Sequence, residues 1–177
     1  TYDYTATATD GNSCTSQSTF NLTVNPEPTN SIKIDNAVAT QKTICEGNNV
    51  NLSSDGAFAS YEWTESSNTN FVIASSKDPT FTPTQSSTTY VLKVTDANGC
   101  IADNEVEITT VSKPTIDYDY TQVCEGDLAS VMLKNRTVNT DYYWTYNGAS
   151  NTNNNVGITP TLTKDENVTV RATRTDV

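Results

Sequence analysis

An internal repeat constrains this chain more than any other feature, because a unit that recurs must be able to pack by itself or against its neighbours. Tyr4 to Cys14 reads YTATATDGNSC and Tyr90 to Cys100 reads YVLKVTDANGC, each with a cysteine ten residues after a tyrosine. An alternating segment follows each cysteine, Phe20 to Val24 and then Val106 to Ile108. A proline stands fourteen residues beyond each cysteine, at Pro28 and Pro114. A second half-motif opens with Cys-Glu-Gly, at Cys45 and again at Cys124. From there Val50-x-Leu52 leads to Trp63 and Val131-x-Leu133 to Trp144, with eleven residues from leucine to tryptophan in both. Pro79 to Thr82 matches Pro160 to Thr163, and Tyr90 to Asp96 matches Val170 to Asp176. The expected organisation is three modules. Residues 1–27 are the C-terminal hairpin of a preceding module, 28–113 a complete module, and 114–177 a module lacking its last hairpin. In this register a further cysteine is expected about three residues past Val177.

Within the complete module Tyr90, Leu92 and Val94 alternate with Val91, Lys93 and Thr95, the period-two pattern of a strand with one buried face. Val106 and Ile108 alternate with acidic neighbours in the same way. Asp96-Ala97-Asn98-Gly99 joins the two segments, and Asn-Gly suits the positive φ values of a tight hairpin. Further strands are expected at Val50 to Ser53, Tyr61 to Thr64, Phe71 to Ala74 and Phe81 to Thr82. Short strands at this spacing, with no helical periodicity, predict an all-β sandwich.

Composition narrows the function. Hydrophobic residues make up 34% of the chain, too few for one thick core, so several thin ones are expected. Nine Tyr and two Trp, set in alternating segments, still argue for folding rather than disorder. With 21 acidic against 10 basic residues the net charge is -11, which removes nucleic acid as a partner. The chain has no histidine, hence neither the commonest general base nor the commonest metal ligand. No apolar run approaches a membrane span, and the first residues do not form a secretory signal. Cys14, Cys45, Cys100 and Cys124 lack the Cys-x-x-Cys spacing of a zinc site and are candidates for disulfides in an oxidising exterior.

Few residues carry possible chemistry. Trp63 and Trp144 are expected as core plugs, whereas alternation sets Tyr143 opposite Tyr142 and Trp144, making Tyr143 and Tyr146 candidate exposed contacts for a sugar. Acidic residues gather at turns. Asp96, Asn98, Glu46, Glu125 and Asp127 are weak calcium candidates, as are Asp10 and Asn12, but no dense Asp-x-Asp-x-Asp loop is present. Asp117-x-Asp119 comes nearest, and solvated turns are the favoured reading. The sequons at Asn21, Asn51, Asn135 and Asn167 receive no function in a chain this rich in Asn and Thr. Serine and threonine nucleophiles have no histidine beside them and no Ser-x-x-Lys occurs, so no catalytic residue, cofactor or metal is assigned.

Glu46-Gly47, Val50-x-Leu52, Trp63, Tyr90 and Asn98-Gly99 resemble the I-set immunoglobulin or polycystic-kidney-disease-like order of A–B turn, strand B, strand-C tryptophan, strand-F tyrosine and F–G turn. The resemblance implies tandem immunoglobulin-like β-sandwich modules. The usual B-to-F disulfide positions fall near Ser54 and Leu92, and Val170 replaces the strand-F tyrosine in the third module. In such a topology Cys45 and Cys100 sit at opposite poles, about 20 Å apart along strand B against the roughly 7 Å that a bridge tolerates. That favours pairing between successive modules. A shifted Cys-Glu-Gly strand would instead bring Cys45 beside Cys100, so both pairings stay open.

Cys-Glu-Gly with a later Thr-Asp-Ala-Asn-Gly-Cys also resembles repeats of giant Bacteroidota cell-surface proteins, including type IX-secreted, SprB-like gliding adhesins. This implies an extracellular, bacterial cell-surface stalk in cell adhesion or gliding motility. Its partners would be neighbouring repeats and an unidentified surface, glycan or protein ligand. The competing readings are a carbohydrate-binding array and an accessory region of a secreted hydrolase.

Overall fold

A computed structural model describes residues 1–146, the strand residues 149–151 and 157–158, and residues 167–177. In chain order its strands are β1 (Tyr2–Thr9), β2 (Thr15–Leu22), β3 (Ile32–Ile34), β4 (Ala37–Val38), β5 (Gln41–Cys45), β6 (Val50–Ser54), β7 (Ser60–Glu65) and β8 (Thr80–Phe81). There follow β9 (Ser87–Thr95), β10 (Ile101–Val111), β11 (Tyr118–Tyr120), β12 (Val131–Leu133), β13 (Thr140–Tyr146), β14 (Ala149–Asn151), β15 (Gly157–Ile158) and β16 (Val168–Arg174). The described residues contain no helix, as the alternation of β-branched and aromatic residues with polar ones requires. Contacts divide the chain into two compact units. One holds Thr1–Thr40, Asn51–Phe81 and Thr89–Glu107, and the other Gln41–Val50, Thr82–Thr88 and Ile108–Val177.

The first unit opens with the hairpin β1–β2, in register from Tyr2 opposite Leu22 to Thr9 opposite Thr15. Its turn is closed by Asp10 N donating to Cys14 O (3.0 Å) and Ser13 N donating to Asp10 O (3.1 Å). The turn from β9 to β10 repeats this, with Asp96 N to Cys100 O at 2.9 Å and Gly99 N to Asp96 O at 3.2 Å. Only Gly99 is left-handed there, at φ +84°, and Ser13 takes the same place at φ +66°. The tight hairpin expected at Asp96-Ala97-Asn98-Gly99 is thus a three-residue loop, in which Gly99 and not Asn98 takes the positive φ.

Two four-stranded sheets are ordered β4-β3-β6-β8 and β5-β10-β9-β7. In the first, Asp35 and Asn36, both at positive φ, close the β3–β4 hairpin as a two-residue loop. In the second, β7 pairs antiparallel with β9 from Ser60 opposite Thr95 to Glu65 opposite Tyr90. Glu107 N donates to Thr40 O and Glu46 N to Val111 O, so β5 and β10 run in the same direction. Alternation along these strands sends Ile32, Ile34, Leu52, Trp63, Tyr90, Leu92, Val94 and Val106 into a solvent-free interior. Each such side chain contributes about 1.5–3 kcal/mol on burial. Phe81 of β8 ties the sheets together, stacked on Tyr90 at 4.6 Å between centroids and edge-on to Trp63 at 6.1 Å. The expected strand Phe71 to Ala74 is absent: Phe71 N closes a turn onto Asn68 O, and only Ala74 makes an isolated bridge, to Trp63.

In the second unit, β11-β12-β15 and β14-β13-β16 form three-stranded sheets. Leu133, Tyr142 and Trp144 are its buried cluster, with Val131, Val168, Val170 and Ala172 packed against them. Trp144 faces Val170 across the ladder, whereas Trp63 faces Leu92. The ladder therefore puts Val168, not Val170, at the place of Tyr90. A shift of two residues keeps the same side chains on the buried face, so the sequence match could not register it. The match at Pro160 to Thr163 lies outside the described residues.

Candidate functional site

The acidic turns come first, because aspartate there has a local use. The Asp96 carboxylate accepts from the backbone N–H of Asn98 and of Cys100, both at 2.8 Å, and Asp10 accepts from Asn12 and Cys14, both at 2.9 Å. The Cys100 amide is the chief cause holding the Asp96 carboxyl below the usual carboxylate range. These side chains organise the loop that carries them. Glu46 N is spent on the Val111 carbonyl, and Asp127 N closes a turn onto the Cys124 carbonyl that spans Glu125. Asp117 and Asp119 converge on the chain's own cation: Lys134 Nζ lies 3.8 Å from one and 3.0 Å from the other. That lysine was not anticipated, since it comes from β12's far flank, beyond any local motif. Among the described residues no three His, Cys, Asp or Glu side chains gather as a metal site.

The aromatic residues divide by face. Trp63 is fully inaccessible, its indole N–H donating to Ser76 O at 3.0 Å, and Trp144 is buried as well. Tyr142 is also fully buried, and its hydroxyl accepts from Thr137 N at 2.8 Å. Tyr143 and Tyr146 are partly exposed, in contrast to the buried Tyr142 and Trp144. Tyr143 lies opposite Arg171 on the ladder and lines a shallow pocket with Thr145, Thr169, Val170, Arg171 and Thr173.

The cysteines are placed as follows. Cys14 and Cys124 are exposed, Cys45 and Cys100 are half-buried, and all four are free thiols. Cys45 ends β5 and lines a pocket with Lys113, Pro114, Ile116 and residues Arg171 to Arg174. Cys100 Sγ lies 4.0 Å from the Asn25 carbonyl oxygen.

The hairpin, the paired sheets and the strand-C tryptophan together point to one kind of domain, and a family model agrees: an Ig-like domain, CHU_C associated, matches residues 35–114. That segment is immunoglobulin-like. Among solved structures, fibronectin(III)-like modules of Clostridium thermocellum CbhA share 12% identity over 80% of this chain and 84% of theirs, with a TM-score of 0.42. Murine CEACAM1b shares 14% over 82% and 92%, with a TM-score of 0.38. At those values neither bears on what the immunoglobulin-like domain here does. A search of curated proteins returns no match. No helix among the described residues is long and apolar enough to cross a membrane.

Proposed function

We propose that the chain is a stretch of an extracellular stalk on a bacterial cell surface, in which tandem immunoglobulin-like modules hold a binding region away from the cell and serve attachment or gliding. One observation carries this reading: the same Asp-closed hairpin is built twice, as β1–β2 and as β9–β10, and a buried strand-C tryptophan recurs at Trp63 and Trp144. Modules repeated in this way add length and mechanical resistance without chemistry at each unit. The half-buried Tyr143 and Tyr146 weaken the sugar-binding alternative, which needs open rings on which a sugar can stack.

Single-molecule stretching tests the mechanical role. Residues 28–113 should unfold in one cooperative event releasing about 30 nm of chain at about 3.6 Å per residue. Smooth extension with no such event would rule out the stalk. The attachment role needs cells: excising these modules should impair surface attachment or gliding, and unchanged behaviour would remove that part.

A further inference from the structure

The repeat carries cysteines at two fixed places, before Glu-Gly (Cys45, Cys124) and after the Asp-closed turn (Cys14, Cys100). Within 28–113 the two places are held apart. The amide beside Cys45, Glu46 N, donates to the carbonyl of Val111, the last residue of β10, at 2.8 Å. Cys100 immediately precedes Ile101, the first residue of this eleven-residue strand. At about 3.3 Å per residue the strand spans on the order of 35 Å, whereas bridged Cα atoms lie within about 7 Å. The length of β10 thus excludes the bridge from Cys45 to Cys100 that the sequence left open.

Cys100 lies instead beside the segment that follows β2, with its Sγ 4.0 Å from the Asn25 carbonyl oxygen. Aligning Cys14 on Cys100 sets Asn25 on Val111, and the Val111 carbonyl is the one bonded beside Cys45. Cys100 therefore stands where the Cys-Glu-Gly cysteine belonging to the β1–β2 hairpin would lie. The other junction agrees. Cys45 lines a pocket with Arg171 to Arg174, the end of β16, which is the strand that in the repeat leads into the cysteine-bearing turn.

We infer that these cysteines are inter-module disulfide sites, the Cys-Glu-Gly cysteine of one module bridging to the turn cysteine of the next. Cys100 joins the cysteine of the module that owns β1–β2, and Cys45 joins the turn cysteine following β16. Forming each bridge removes two protons and two electrons from two thiols. A disulfide-bearing oxidant of the exterior, such as oxidised glutathione, accepts them and leaves as two thiols. The inference rests on the tandem order of the stalk reading but not on its adhesive role.

Peptide mapping of the unreduced, exported polypeptide is the direct test. Cys100 should be joined to a cysteine upstream of Thr1 and Cys45 to one downstream of Val177. A Cys45 to Cys100 peptide, or free thiols at both, would overturn the inference. In the present chain, Val24→Cys and Asn25→Cys each bring a thiol near Cys100. Under oxidised glutathione at least one should cross-link to Cys100 well above its yield in urea, and failure of both would likewise overturn it. Free thiols combined with an intact cooperative unfolding event would remove the bridges and leave the stalk standing.

Discussion

Gly99 and Ser13 occupy the same left-handed position in equivalent turns, yet only glycine reaches it without strain. A Cβ added at Gly99 would meet nothing within 4 Å, so Gly99→Ala tests the backbone alone. It should cost about 1–2 kcal/mol in thermal denaturation, and Ser13→Gly should gain up to about 1 kcal/mol. Tyr90 supplies a pH-dependent counterpart. Burial, followed by the Glu65 carboxylate across the ladder, pushes its hydroxyl up to about 12 from 10.0. The folded state keeps the proton that the unfolded chain releases first, so this contribution is complete below pH 10 and is lost as pH rises through about 12. Melting temperatures measured across that range should show wild type losing stability relative to Tyr90→Phe as the pH rises from 10 to about 12. The sequence foretold the burial of Trp63 and Tyr90 because alternation fixes the face. For Tyr143 it indicated only the face, opposite to Tyr142 and Trp144, since the degree of exposure depends on neighbours from another strand.

Among the elements, β9 and β10 were legible because each alternates over several residues and an Asp-led turn joins them. The strands β3, β4 and β5 were not. Ile32–Ile34 and Ala37–Val38 are too short to show a period, and β5 pairs, among the described residues, with the remote β10, so its position depends on contacts that local sequence does not encode. β5 is also the strand that carries Cys45, which is why sequence alone left the cysteine pairing open. In β13, Tyr142 combines a fully buried ring with a hydroxyl that accepts from Thr137 N. Tyr142→Phe keeps the packing and leaves that amide without its acceptor, at a cost of about 1–3 kcal/mol measurable in urea unfolding.

At the scale of the whole molecule, the acidic side chains serve turns and the Lys134 pair rather than a metal cluster among the described residues. Chelation should therefore leave the melting of the intact chain unchanged, and a fall of more than about 10 °C would reveal calcium bound at those turns. The common direction of β5 and β10 has a further consequence under load. Once β3 and β4 are stripped away, tension from the two ends runs along the β5–β10 ladder. Strands pulled lengthwise past one another load all their rungs at once, in shear, whereas a hairpin opened from its mouth peels rung by rung. Glu46→Pro deletes the amide that bonds Val111 and should lower the peak rupture force while leaving the released length the same. A chain of such modules would behave as a row of shear locks, each intact until its own threshold and then lengthening abruptly, so that a tug is absorbed by yielding one module at a time.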